Sequence, residues 1–291
     1  MKAVAGLFSS MSTGGHRSVS PAQVKQALER HSPQYRDLEQ QDAHECLLSL
    51  FGALHDELNL APPQPRRPGT SPSEGTSLRQ LPEVVAADVV WQEYRERDDS
   101  VIVDFFHGQT RNRLECLECH TTSSSFHPLP TLSLAIPVRK SRETVTLEAC
   151  IAHYLKEEIL RGENAWNCPS CRSPQMASKT VSIARLPQFL VIHLQRFAFP
   201  GPKTTTPIAF PLRPRARRPP PAARARLSVA DGSGHYTTLV RDGGAEEDGD
   251  GWCEIDDEVV TRLETPDAID EALLRAERSA YLLFYRIGDA A

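Results

Sequence analysis

Apolar residues recur at three- and four-residue steps through residues 41–58, at Ala43, Leu47, Leu50, Leu54 and Leu58, and this spacing predicts an amphipathic helix with one buried face. A shorter helix is expected over 21–30, with Ser20 as its cap and Pro21 in its first turn. Residues 62–77, rich in Pro, Ser, Gly and Arg, cannot build a packed element and read as a surface loop that ends this helical lobe. Beyond the loop the pattern changes to short apolar and β-branched runs at 100–106, 123–136, 181–183, 189–194, 235–240, 252–255 and 280–285. These predict the strands of a substantial antiparallel sheet. One helix interrupts them at 147–160, capped by Thr146, with Leu147, Ile151, Tyr154 and Leu155 on one face. The implied fold class is α+β.

Two biased stretches in the last third break this pattern. Residues 213–226 interleave six arginines with proline and alanine, and residues 242–258 hold nine acidic side chains. Both read as solvated loops, since charge runs rarely order without a partner. Over the 291 residues the formal net charge is -5, which supplies no global basic field for phosphate, so nucleic acid is not an expected partner. The apolar run at 3–8 is too short for a signal sequence, and no apolar stretch reaches transmembrane length, so no membrane partner is expected. A cytoplasmic or nuclear protein is the expectation.

Seven cysteines include two CxxC pairs, Cys116/Cys119 and Cys168/Cys171. Each pair can place two thiolates on one turn, and two such turns brought together form the closed four-sulfur cage of a structural Zn2+ site. Of the histidines, His193 sits in the apolar run FLVIHLQRF and reads as a buried structural residue. His235 follows the turn-forming residues Asp231, Gly232, Ser233 and Gly234, which would deliver its ring to the exposed start of a strand. Some twenty residues on, WCEIDD places Asp256 and Asp257 after another strand. An imidazole that takes a thiol proton and a carboxylate that orients it are two of the three parts of a cysteine hydrolase. The third part is missing from the pattern. Cys46 and Cys150 fall inside helices and Cys253 inside a strand, whereas a reactive thiolate favours an electropositive, partly exposed helix N-terminus.

Taken together these residues resemble the ubiquitin-specific protease family, over most of the chain. QQDAHECL at 40–47 is similar to its Gln-Gln-Asp box, the two CxxC pairs to its fingertip zinc ribbon, LPQFLVIHLQRF at 186–197 to a palm segment, GHYTTLV and WCEIDDEVV to its histidine box, and SAYLLFYRI at 279–287 to its closing strand. The resemblance implies a papain-like fold with thumb, palm and fingers: a remnant helical thumb over 1–61, a Pro/Ser-rich loop over 62–78, and palm and fingers over 79–291. The zinc ribbon then spans about 110–180 and an Arg/Pro-rich loop 211–227. It implies His235 as general base, Asp256 as its orienter with Asp257 as a possible helper, and ubiquitin or ubiquitinated proteins as partners. Asp42 and Glu45 match acidic positions that face the arginine-bearing tail of ubiquitin. Two departures accompany it. The family's Gly-Asn-Thr-Cys-Tyr-like cysteine box has no counterpart in these residues, and 1–39 resembles the thumb sequence that follows such a box. Between Phe210 and Gly234, where the family has palm strands, Arg/Pro-rich sequence stands. The expected function is therefore a deubiquitinase-type domain that is inactive as given for want of a nucleophile. The alternatives are a non-catalytic ubiquitin-binding scaffold or a truncated product of an active deubiquitinase.

Overall fold

The structure is a computed structural model that describes residues 2–13, 15, 18–37, 39–62, 81–137, 144–197, 203–212, 225–230, 235–241 and 251–287. The Pro/Ser-rich loop, most of the Arg/Pro-rich stretch, the turn at 231–234 and the first half of the acidic run lie outside the described residues. Five helices come first: α1 (Lys2–Ser12), α2 (Ala22–His31), α3 (Ala43–Leu58), α4 (Glu83–Arg95) and α5 (Val101–Phe106). The sheet region holds β1 (Gly108–Cys116), β2 (Thr122–Leu129), β3 (Leu132–Ala135), β4 (Val145–Thr146), α6 (Leu147–Tyr154), β5 (Glu158–Leu160), β6 (Trp166–Cys168), β7 (Ser173–Gln175), β8 (Ala177–Arg185) and β9 (Phe189–Gln195). After these come β10 (Ile208–Ala209), β11 (Ala225–Ala230), β12 (Tyr236–Arg241), β13 (Trp252–Asp256), β14 (Val259–Leu263), α7 (Pro266–Ser279) and β15 (Ala280–Arg286).

A seven-stranded sheet in the order β14-β13-β12-β11-β15-β9-β3 forms the palm; all its pairs are antiparallel except β3 with β9. A second sheet, β2-β1-β8-β5, carries the Cys116/Cys119 turn between β1 and β2, and the two-stranded sheet β6-β7 carries the Cys168/Cys171 turn. Strand β9 explains how the palm is held. Successive side chains point to opposite faces, so Leu190, Ile192 and Leu194 enter the main core with Leu147, Ala272 and Ala276 of α6 and α7. Val191 faces the other way, onto Phe51 of α3 and Ile102 of α5. Both faces are covered, which is why β9 reads as a continuous apolar run rather than an alternation. On β15 the register with β11 slips at Tyr281, since Ser228 pairs with Leu282 and Val229 with Ala280. The extra residue turns Tyr281 and Leu282 together toward Ala43 and Leu47 of α3.

Several sequence expectations are corrected. Residues 100–106 form helix α5, not a strand: the Ser100 hydroxyl caps Val103 N, and Ile102 and Phe106, one turn apart, pack against Phe51. A six-residue apolar run fits either period, and tertiary packing decided it. The helix expected over 147–160 stops at Tyr154, and 158–160 become β5 on the finger sheet. The single strand expected over 123–136 is two, β2 and β3, which belong to different sheets. Pro21 is the cap of α2 rather than its first residue, although Ser20 Oγ does accept a 3.3 Å bond from Ala22 N. Strand β11 begins in the last residues of the Arg/Pro-rich stretch and joins β12 to β15 in the palm. Helices α1, α4 and α7 had no counterpart in the reading, although Thr265 followed by Pro266 is an explicit start signal for α7.

Arg196, fully buried, ties the back of the palm together. It donates to Ala280 O (2.6 Å), Glu277 O (2.8 Å), Thr204 O and Thr206 O (both 3.0 Å), and burial brings its guanidinium down to about 10. Truncation would strip four carbonyls of charged donors. Arg196→Ala is expected to cost about 3–5 kcal/mol, a large share of a typical domain's stability. Urea unfolding monitored by tryptophan fluorescence checks this, and Arg196→Lys should recover only part, since an ammonium cannot span all four acceptors.

Candidate active site and metal centre

His235 stands immediately before β12, and Asp256 ends the neighbouring β13. Antiparallel pairing of Thr238 with Ile255 brings the two to the same end of the sheet, where His235 Nε2 lies 2.5 Å from Asp256 Oδ1. With its proton on Nε2, the ring donates to this carboxylate, which orients it. Both side chains are accessible, at 40% and 54% exposure. Asp257 opens the two-residue turn into β14 with φ of 49°, in the left-handed region that Asp tolerates better than most residues. Its carboxylate stays within 4.8 Å of the His235 and Asp256 donor atoms.

The helical lobe meets this part of the palm through Asp42. One carboxylate oxygen caps α3, accepting from His44 N (2.8 Å) and Glu45 N (3.0 Å), and the other accepts from the Tyr281 hydroxyl. Tyr236, directly after His235, places its hydroxyl 3.4 Å from Ala43 N at the same helix start. Glu45 sits at the third helical position and is exposed. Asp42 and Glu45 therefore differ: the first is committed to the cap and to Tyr281, while the second projects outward. The sequence reading missed Tyr281 and Tyr236 as the joint. The signal was the aromatic pair in GHYTT and SAYLL, but only the bulge in β15 aims Tyr281 at α3.

Just inside the seam, His193 stacks on His44 with ring centroids 4.0 Å apart, and Ser133 Oγ lies 3.0 Å from His193 Nδ1. Burial, then the neighbouring His44, brings His193 down to about 4. His107, 2.7 Å from the Tyr94 hydroxyl, is likewise brought to about 4, by burial and then by His55. Both values fall below the ordinary 6.5, so between pH 6.5 and 4 the unfolded chain binds protons that the native state refuses. Stability is thus complete above pH 6.5 and lost on acidification, by at most about 2 kcal/mol per histidine at pH 5. Urea midpoints at pH 7.5 and 5 measure the loss, and His107→Asn should flatten the pH dependence.

A second constellation has hydrolase-like connectivity. His55 Nδ1 is 2.7 Å from Ser100 Oγ, and His55 Nε2 is 3.2 Å from Asp98 Oδ1. Ser100, however, is 2% exposed and spends its hydroxyl on capping α5, so no substrate carbonyl can approach it. The cysteines outside the CxxC pairs are no better placed. Burial pushes the Cys46 thiol up, with Asp42 adding to it, and burial does the same to Cys150; both shifts run opposite to what a nucleophile needs. Cys253 is half-buried in β13.

The two CxxC pairs come together as their spacing predicts. Cys116 Sγ lies 4.0 Å from Cys171 Sγ, and Cys119 Sγ lies 3.5 Å from Cys168 Sγ, with all four within 4.8 Å of one another. A tetrahedral cage with metal–sulfur bonds of about 2.3 Å has edges of about 3.8 Å, so the donor set fits a metal. The two turns share a backbone device: His120 and Arg172, each directly after the second cysteine of its pair, have φ of 58° and 57°. Cys116 and Cys168 are buried at the base, and Cys119, beside the Thr121 hydroxyl at 3.2 Å, is exposed.

A helical lobe against a mixed palm sheet, a His–Asp pair at the sheet's rim and a four-cysteine finger define the thumb, palm and fingers class of papain-like folds. The ubiquitin carboxyl-terminal hydrolase family model matches residues 1–285, and the chain belongs to that family. Ubiquitin carboxyl-terminal hydrolase 2 of Gallus gallus is 31% identical over 284 residues, covering 93% of this chain and 74% of that protein. Its Homo sapiens counterpart is 33% identical over 283 residues, covering 92% of this chain and 44% of that protein. Among solved structures, a chain of the SAGA DUB module (Ubp8/Sgf11/Sus1/Sgf73) bound to monoubiquitin superposes with a TM-score of 0.64 at 21% identity, covering 93% of this chain and 53% of that one. The present chain thus spans between about half and three quarters of these relatives. Among the described residues no helix is long and apolar enough to cross a membrane.

Proposed function

We propose that these residues form the ubiquitin-gripping and base-bearing part of a ubiquitin-specific protease. The observation that carries this is the His235–Asp256 pair, with the carboxylate against Nε2, on the palm rim beside α3. The family reaction is thiol-dependent hydrolysis of the isopeptide bond at the ubiquitin C-terminus. In that reaction Nδ1 of His235 takes the thiol proton, the thiolate adds to the carbonyl, and the imidazolium returns the proton to the leaving amine; water then releases the acyl group. Asp256 holds the ring, with Asp257 beside it. Cys116, Cys119, Cys168 and Cys171 are assigned to one structural Zn2+, which closes the finger and leaves no open coordination position. By themselves the 291 residues lack a suitable nucleophile, so on their own they act as a ubiquitin-binding module without turnover. The partners are ubiquitin and ubiquitinated proteins, in the cytosol or nucleus.

Ubiquitin binding is the direct test. Asp42→Lys is a poor probe, because it also removes the α3 cap and the Tyr281 bond. Glu45→Lys changes an exposed charge. Calorimetric titration with ubiquitin is expected to weaken severalfold in Glu45→Lys, and less so at high salt, since exposed pairs contribute up to about 1 kcal/mol and are screened. Binding of equal strength in the variant at low salt would remove Glu45 from the interface, and no binding by the parent chain would sink the reading.

A further inference from the structure

Besides the sulfur cage, one other group of three metal-capable side chains occurs among the described residues: His235, Asp256 and Asp257, with donor atoms all within 4.8 Å. We propose that this cluster is an exchangeable binding site for a borderline divalent transition-metal ion, of the class of Zn2+ or Ni2+, and that the ion displaces the His235–Asp256 hydrogen bond. The donor set selects the ion. One imidazole with two carboxylates suits Zn2+ and Ni2+, whereas Ca2+ and Mg2+ favour all-oxygen shells with more ligands.

The backbone brings these donors together from separate places. His235 enters β12, Asp256 closes β13, and Asp257 begins the turn to β14, so three side chains from two strand ends and a turn meet at one rim. An ion held at about 2.0–2.2 Å needs donors roughly 3.0–3.5 Å apart, so His235 Nε2 and Asp256 Oδ1, now 2.5 Å apart, must open by less than about 1 Å. Side chains 40% and 54% exposed have room to do so, and water can complete the shell from the open side. The binding does not depend on the proposed function. Its consequence does: if His235 is the general base, the ion withdraws that base reversibly.

The test is calorimetric titration of Zn2+ into protein already carrying metal on its four cysteines. A second equivalent is expected, absent with Mg2+, and weakened in His235→Ala and in Asp257→Asn by at least the 10- to 100-fold that losing even an outer-shell partner costs. Paramagnetic Ni2+ gives an independent readout on the unaltered chain: amide signals of 235–241 and 252–258 should broaden first. No uptake beyond the metal already on the cysteines, a second equivalent unchanged in both variants, or broadening that begins elsewhere would each overturn the proposal. Loss of ubiquitin binding with the second equivalent intact would instead count against the function alone.

Discussion

A polypeptide of these 291 residues, incubated with ubiquitin bearing an electrophilic C-terminus, is expected to stay unlabelled and to release nothing from ubiquitin conjugates. His235 and Asp256 stand 2.5 Å apart, yet an imidazole with no thiol to deprotonate accelerates nothing. Nucleophile and base act as a unit, and in a well-studied hydrolase loss of the nucleophile alone lowered turnover by about 10⁶-fold, as much as loss of all three members. Burial pushes Cys46 and Cys150 toward the inert thiol, so neither is a substitute. Peptide mapping by mass spectrometry decides the matter. An adduct on Cys46, Cys150 or Cys253 would refute the prediction and show that the fold had recruited a replacement. In a longer polypeptide that supplies thiol and oxyanion donor, His235→Ala should lower the rate by a comparable factor.

The second large effect concerns the finger. Purified protein is expected to hold one tightly bound Zn2+ by elemental analysis, and Cys168→Ser with Cys171→Ser should abolish it. The four sulfurs are already spaced at 3.5 and 4.0 Å across the cage, so the ion enters a formed site. Sites of this kind contribute about 10–16 kcal/mol of apparent binding free energy at neutral pH, which in small domains is folding free energy. Here β6, β7 and the turn between them bury few apolar side chains, so chelation should open the finger first. Hydrogen exchange should show lost protection in 166–175 and 116–122 while β9 and β15 stay protected. Zinc retained by the double variant would rule the site out.

The two CxxC spacings were enough to anticipate the sulfur cage, because two thiolates on one tight turn can face only a small region of space. Helix α3, with its apolar face and Asp42 cap, was equally legible, since 3.6-residue periodicity and a cap are local properties. His235 and Asp256 were named from the sequence as base and orienter, and the structure brings those two side chains together. Their roles still await the probe. What could not be read locally was decided by packing. Residues 100–106 became a helix because Ile102 and Phe106 meet Phe51 across the lobe, and β11, which begins in the last residues of a stretch that looked like loop, joined β12 to β15. The commitment of Asp42 to Tyr281 depends on a one-residue bulge some 240 positions away. Patterns fixed within a turn or a few residues are carried by the chain itself, because their energetics are short-ranged. Which face of a strand meets which helix, and which of two neighbouring carboxylates is left free, exist only once distant segments pack and each buried polar group must find its partner.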